Sequence, residues 1–86
     1  MTTLPPPRLG APLSAREVDV LDGIARGRTY AQIAADLGLS TDTVATHARR
    51  LMAKLGARDR GHAVGTGFRL GLLGDRSAVR PGRWAA

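Results

Sequence analysis

The chain has 86 residues, enough for one small domain and too few for a multidomain enzyme. Its 13 Lys and Arg against 7 Asp and Glu give a formal charge of +6, a balance that suits an anionic partner. With no cysteine and only His47 and His62 as histidines, neither a disulfide framework nor a structural metal shell can be assembled, and no cofactor is expected.

The first dozen residues, MTTLPPPRLGAP, are rich in Pro and Gly without a period, so 1–12 reads as a flexible tail. Prolines also interrupt it where a signal peptide would keep an apolar run, and no segment approaches the roughly 18 apolar residues of a spanning helix. A soluble, cytoplasmic, nucleoid-associated protein is the expectation. A first helix starts at Ser14, whose hydroxyl can accept from the Glu17 N–H while Glu17 reaches back, and it stops near Gly27. Thr29 and Gln32 form a second capping pair, and Tyr30, Ile33, Ala34 and Leu37 recur at helical spacing until Gly38 ends the element.

Gly38-Leu39-Ser40 makes a three-residue turn into a third helix, expected over Thr41 to about Leu55. At about 100° per residue, Val44, Ala48, Leu51 and Leu55 form one narrow apolar stripe. Asp42, Thr46, Arg49, Arg50 and Ala53 gather on the other side. A short helix, a turn containing Gly and a longer amphipathic helix make a helix-turn-helix over about 30–55. Asp59 caps a fourth helix, about 60–70, with apolar positions at Ala63, Val64, Phe68, Leu70 and Leu72. Gly61, Gly65 and Gly67 weaken it by roughly 0.8 to 1.0 kcal/mol each relative to Ala, a loss that close backbone packing must offset. Residues 74–86 read as a basic flexible tail in which Arg76, Arg80 and Arg83 either attract phosphate or simply solubilise the chain, and Trp84 is an untethered terminal aromatic rather than a partner contact.

Charge is uneven along the chain. Residues 14–42 carry three Arg against five acids, whereas 43–86 carry nine Lys and Arg against two. Three aromatics, Tyr30, Phe68 and Trp84, are too few for a base-stacking platform or for a strand-rich core. The fold class is therefore all-α, with residues 13–73 as the folding unit. Gly65-Thr66-Gly67 lies inside a predicted helix, lacks a third glycine at phosphate-loop spacing and follows no strand, so no enzyme signature stands.

Fixed spacing ties together the L-S-x-R-E opening at Leu13 to Glu17, Val20-Leu21, Gly27, Ile33-Ala34, Leu37, Leu39-Ser40, Thr43-Val44 and His47. The series continues with Lys54-Leu55, Arg60, Ala63-Val64 and Gly71-Leu72-Leu73. On these residues the segment 13–73 resembles the LuxR-type (GerE-type) DNA-binding domain of bacterial transcription regulators. Region 4 of sigma factors shares the opening and the helix-turn-helix but not the ending from Lys54 onward. The resemblance implies a four-helix fold whose third helix reads double-stranded DNA and whose fourth pairs two chains. The dimer contacts would be Val64, Phe68, Leu72, Gly61 and Gly65.

For DNA, Arg49 is the candidate base reader, because a guanidinium can bridge O6 and N7 of guanine. Thr46 offers a methyl to thymine or a hydroxyl to a base edge, or is an ordinary surface residue. Arg50 and Ala45 share the base-reading stretch, although the family commonly has Lys or Arg at the position of Ala45. His47 and Lys54 match family positions that face the DNA backbone, with a surface salt bridge as the competing role of Lys54. Thr43 and Ser40 sit at a helix N-terminus suited to phosphate, where capping competes for Ser40. Tyr30 is either a phosphate contact or a core aromatic. Glu17 and Arg60 match acidic and basic family positions and are expected to pair between the first and fourth helices.

LuxR-type domains usually end a longer protein, and Met1 favours a complete single-domain regulator over a fragment. The alternative function is a protein-interaction module of the same fold that titrates another regulator or an RNA polymerase subunit.

Overall fold

A computed structural model describes residues 6–73. The C-terminal tail with Arg76, Arg80, Arg83 and Trp84 lies outside the described residues, as do residues 1–5. Four helices follow in order, α1 (Ala15–Ala25), α2 (Tyr30–Leu37), α3 (Thr41–Leu55) and α4 (Arg60–Arg69), with no strand among the described residues.

Each helix starts where a side chain can satisfy its first orphan N–H groups. The Ser14 hydroxyl accepts from the Glu17 N–H at 3.1 Å, and the Glu17 carboxylate accepts from the Ser14 N–H at 2.9 Å. Thr29 and Gln32 repeat the reciprocal pair on α2, with distances of 3.1 and 2.9 Å. Ser40 caps α3 and Asp59 caps α4, the latter accepting from the His62 N–H at 2.8 Å. Caps of this kind contribute about 1 kcal/mol each, which matters in a domain this small.

The core draws on all four helices. Val20 and Leu21 of α1, Ile33 and Ala34 of α2, Val44, Ala48 and Leu51 of α3, and Ala63 of α4 are buried together. Leu13, Ile24, Tyr30, Leu37, Leu39, Leu55, Val64 and Leu73 pack around them, half-buried. α3 is central, lying against α1, α2 and α4, and α1 packs on α4 as well.

Within α4, only Gly67 needs its missing side chain. A Cβ there would stand 2.9 Å from Leu21 Cδ2 and 3.2 Å from Leu73 Cδ1, whereas one on Gly65 would meet nothing within 4 Å. Gly67 thus lets α4 approach α1, and its cost in helix propensity is offset by that contact.

The chain before α1 is attached to α3. The Gly10 N–H donates to the Lys54 carbonyl at 2.8 Å, and the Ala11 N–H donates to the Arg8 carbonyl to close a turn. Of the segment read from sequence as a tail, Arg8, Gly10, Ala11 and Pro12 therefore have defined hydrogen-bond partners.

Candidate nucleic-acid interface

The turn between α2 and α3 is set by Gly38, which adopts the left-handed conformation at φ +72° while the Leu39 N–H donates back to the Ala34 carbonyl at 2.9 Å. This geometry satisfies the end of α2 and lets Ser40 begin α3 at once. Leu39 packs against the core and pins the turn. α2 and α3 consequently form one rigid helix-turn-helix.

Val44, Ala48 and Leu51 seal the inner face of α3. On the outer face Asp42, Thr46, Arg49 and Ala53 are exposed, and Ala45 beside them is half-buried. Thr46 donates its hydroxyl hydrogen to the Asp42 carbonyl at 3.0 Å, and Arg49 Nη2 donates to Thr46 Oγ1 at 3.2 Å. Thr43 is half-buried at the start of the helix. Its N–H donates to Ser40 Oγ at 3.1 Å and its Oγ1 accepts from the Ser40 hydroxyl at 2.9 Å, so both polar functions of Ser40 serve the cap.

Arg50 and Lys54 occupy a different flank. At about 100° per residue they lie about 40° apart, Arg50 roughly 100° and Lys54 roughly 140° from Arg49, toward the side where α1 packs. Lys54 Nζ donates to Glu17 Oε1 at 2.6 Å and to the Pro12 carbonyl at 3.1 Å, and Arg50 Nε donates to Glu17 Oε2 at 3.3 Å. The side chains are 10%, 18% and 3% exposed for Lys54, Arg50 and Glu17, so this cluster is largely inside the protein. Burial opposes the charge of Glu17, but the bonds from Lys54, the Ser14 N–H and Arg50 outweigh it and hold the carboxyl below its ordinary range.

These contacts correct the expected pairing of Glu17 with Arg60. Glu17 faces α3, while the Arg60 guanidinium lies over the Tyr30 ring at 4.5 Å from its centroid. Tyr30 is thereby a half-buried aromatic that packs on the core and bridges the starts of α2 and α4. His47 is half-buried, and its Nδ1 is buried without a hydrogen-bond partner among the described residues. On α4, Phe68 is 44% exposed, Gly61 is exposed, and Val64 and Gly65 are half-buried; the helix ends at Arg69, so Leu70 and the half-buried Leu72, expected on it, follow it instead.

The structure therefore brings Ala45, Thr46 and Arg49 to one outer surface, leaves Thr43 on the flank of Arg50 and Lys54, and directs the cations of those two residues inward to Glu17. The Glu17 cluster escaped the sequence reading because its partners lie 33 and 37 residues away. The Thr46 to Arg49 bond had a local signal, the i, i+3 spacing.

Residues 11–66 match the luxR family of bacterial regulatory proteins (GerE). The chain belongs to this family. Its segment of 61 residues is 44% identical to the HTH-type transcriptional activator RamA of Corynebacterium glutamicum, covering 71% of this chain and 22% of that protein. It is 49% identical over 61 residues to the probable transcriptional regulatory protein NarL of Mycobacterium tuberculosis, covering 71% of this chain and 28% of that protein. Over 60 residues it is 40% identical to the transcriptional activator protein EsaR of Pantoea stewartii, covering 70% of this chain and 24% of that protein. The chain thus spans about a quarter of the length of these relatives. As a luxR-family member it carries the helix-turn-helix DNA-binding domain of transcription regulators, a non-enzymatic domain. No helix among its described residues is long and apolar enough to cross a membrane.

Proposed function

We propose that this luxR-family chain binds double-stranded DNA in a sequence-specific manner, with α3 in the major groove and two copies paired through α4. The observation that carries this reading is the outer face of α3. Arg49 and Thr46 stand exposed on a helix whose opposite face is sealed by Val44, Ala48 and Leu51. A helix held this rigidly can offer side chains to base edges without losing packing.

In this reading Arg49 addresses a base, Ala45 and Thr46 lie beside it, and Thr43, His47 and Tyr30 approach the phosphates. Lys54 and Arg50 contribute to the surface mainly by fixing α3 against α1, since Glu17 holds both heads.

The test is binding to a library of randomised duplexes by the full chain and by Arg49→Ala. Loss of a bidentate guanine contact is worth about 1 to 3 kcal/mol, read as a flattened preference at one position of each half-site with the fold intact. An affinity that falls equally for all sequences would reduce Arg49 to a backbone contact. No DNA affinity at low salt would overturn the reading in favour of a protein-interaction module that titrates a regulator or a polymerase subunit.

A further inference from the structure

We propose that Thr46 is a positioning residue for Arg49, holding the guanidinium in the attitude in which it meets a base. The inference rests on the reading of Arg49 as base reader and adds the group that prepares it.

The hydroxyl of Thr46 has one hydrogen and two lone pairs. The hydrogen is committed, because Thr46 Oγ1 donates to the Asp42 carbonyl one turn earlier at 3.0 Å. What remains outward is acceptor only. Such an oxygen cannot donate to N7 or O6 of guanine or to O4 of thymine, so hydroxyl readout of those acceptors is closed to Thr46. It can accept from a cation, and Arg49 Nη2 donates to it at 3.2 Å.

A guanidinium has five N–H donors, and a bidentate contact with guanine uses two. The remaining donors leave room for Thr46 to keep its bond while Arg49 is engaged. Arg49 is exposed and its long side chain loses rotamer freedom on docking, so a partner that limits that freedom beforehand raises the fraction of molecules ready to bind. The ordering runs along one helix face from the Asp42 carbonyl through Thr46 to Arg49.

Two substitutions separate the hydroxyl from the methyl. Thr46→Val keeps the shape and an outward methyl but removes the acceptor, whereas Thr46→Ser keeps the acceptor and removes the methyl. Binding of each variant, of Arg49→Ala and of the doubly substituted Thr46→Val/Arg49→Ala chain is measured on the same randomised duplex library. Thr46→Val is expected to weaken preference at the position read by Arg49 about 2- to 10-fold, the range of one ordinary hydrogen bond. Thr46→Ser should restore it to within about 2-fold, and in the Arg49→Ala background Thr46→Val should leave that position unchanged, as a coupled pair requires. Any contact of the Thr46 methyl with a thymine would alter a different position, and only in the Ser variant. If Arg49→Ala flattens one position but Thr46→Val leaves it untouched, or Ser fails to rescue, positioning by Thr46 is overturned while base reading by Arg49 stands. If Arg49→Ala flattens no position, base reading fails and the role of Thr46 fails with it.

Discussion

Glu17 is where two jobs meet in one carboxylate. It completes the cap of α1 through Ser14 and at the same time pairs with both Lys54 and Arg50 on α3. Removing the charge while keeping the shape, as in Glu17→Gln, preserves an acceptor for the Ser14 N–H but takes the counter-ion from the largely buried Lys54 and one ion pair from Arg50. Losing hydrogen bonds to a charged group costs about 1.5 to 3 kcal/mol, so the variant should melt below the parent at neutral pH. The pH dependence has a definite sign. The folded carboxyl titrates below its unfolded value of 4.5, so its contribution is fully present above that value and is lost as pH falls through the lower, folded pKa. Thermal melts of the parent and Glu17→Gln should differ by a constant amount from pH 7 down to about 5 and converge in more acidic buffer. A gap that stays constant to pH 2 would mean that the cost of the variant is steric.

α4 shows how one residue type can play opposite parts in a single helix. Gly65 has open space where a Cβ would go, and Gly67 has Leu21 and Leu73 there. Gly65→Ala should therefore stabilise the monomer by about 0.5 to 1 kcal/mol through helix propensity. Gly67→Ala gains the same term but forces Leu21 out of a fully packed site, an overpacking cost of about 1 to 3 kcal/mol, and should be destabilising on balance. Urea unfolding of the two variants checks the opposite signs. Sequence could name these glycines and their shared cost, yet not which of them meets a neighbour, because Leu21 is 46 residues away from Gly67. The same division runs through the whole domain. The caps at Ser14, Thr29, Ser40 and Asp59, the turn at Gly38 and the inner stripe of α3 were legible, because each depends on residues within one or two turns. Arg50 was placed on the outer face by periodicity, since a helical wheel locates a Cβ and says nothing of where a long side chain bends. Only the fold of α1 against α3 supplies the carboxylate that turns it inward.

At the scale of the whole molecule the proposed pairing through α4 links packing to DNA geometry. Phe68 and Leu70 are the large apolar side chains exposed at that end, 44% and 63% respectively, and Val64 and Leu72 are half-buried nearby in sequence. Phe68 is 44% exposed, so Phe68→Ala should cost the fold less than the roughly 3 to 5 kcal/mol of truncating a core Phe. Its effect should fall mainly on association. A single copy offers one α3 to one half-site, whereas two copies joined by symmetric α4 contacts bind half-sites about one helical turn apart, some 10 bp centre to centre. Shifting one half-site by about 5 bp turns its groove to the opposite side of the duplex and should remove the cooperative gain. In sedimentation the parent chain should bind a correctly spaced duplex as a pair and a half-turn-shifted duplex as separate monomers. Phe68→Ala should bind both as monomers with the affinity of a single half-site. A parent chain that stays strictly monomeric, free and on the correctly spaced duplex, would remove α4 from the interface and leave Phe68 as a surface residue.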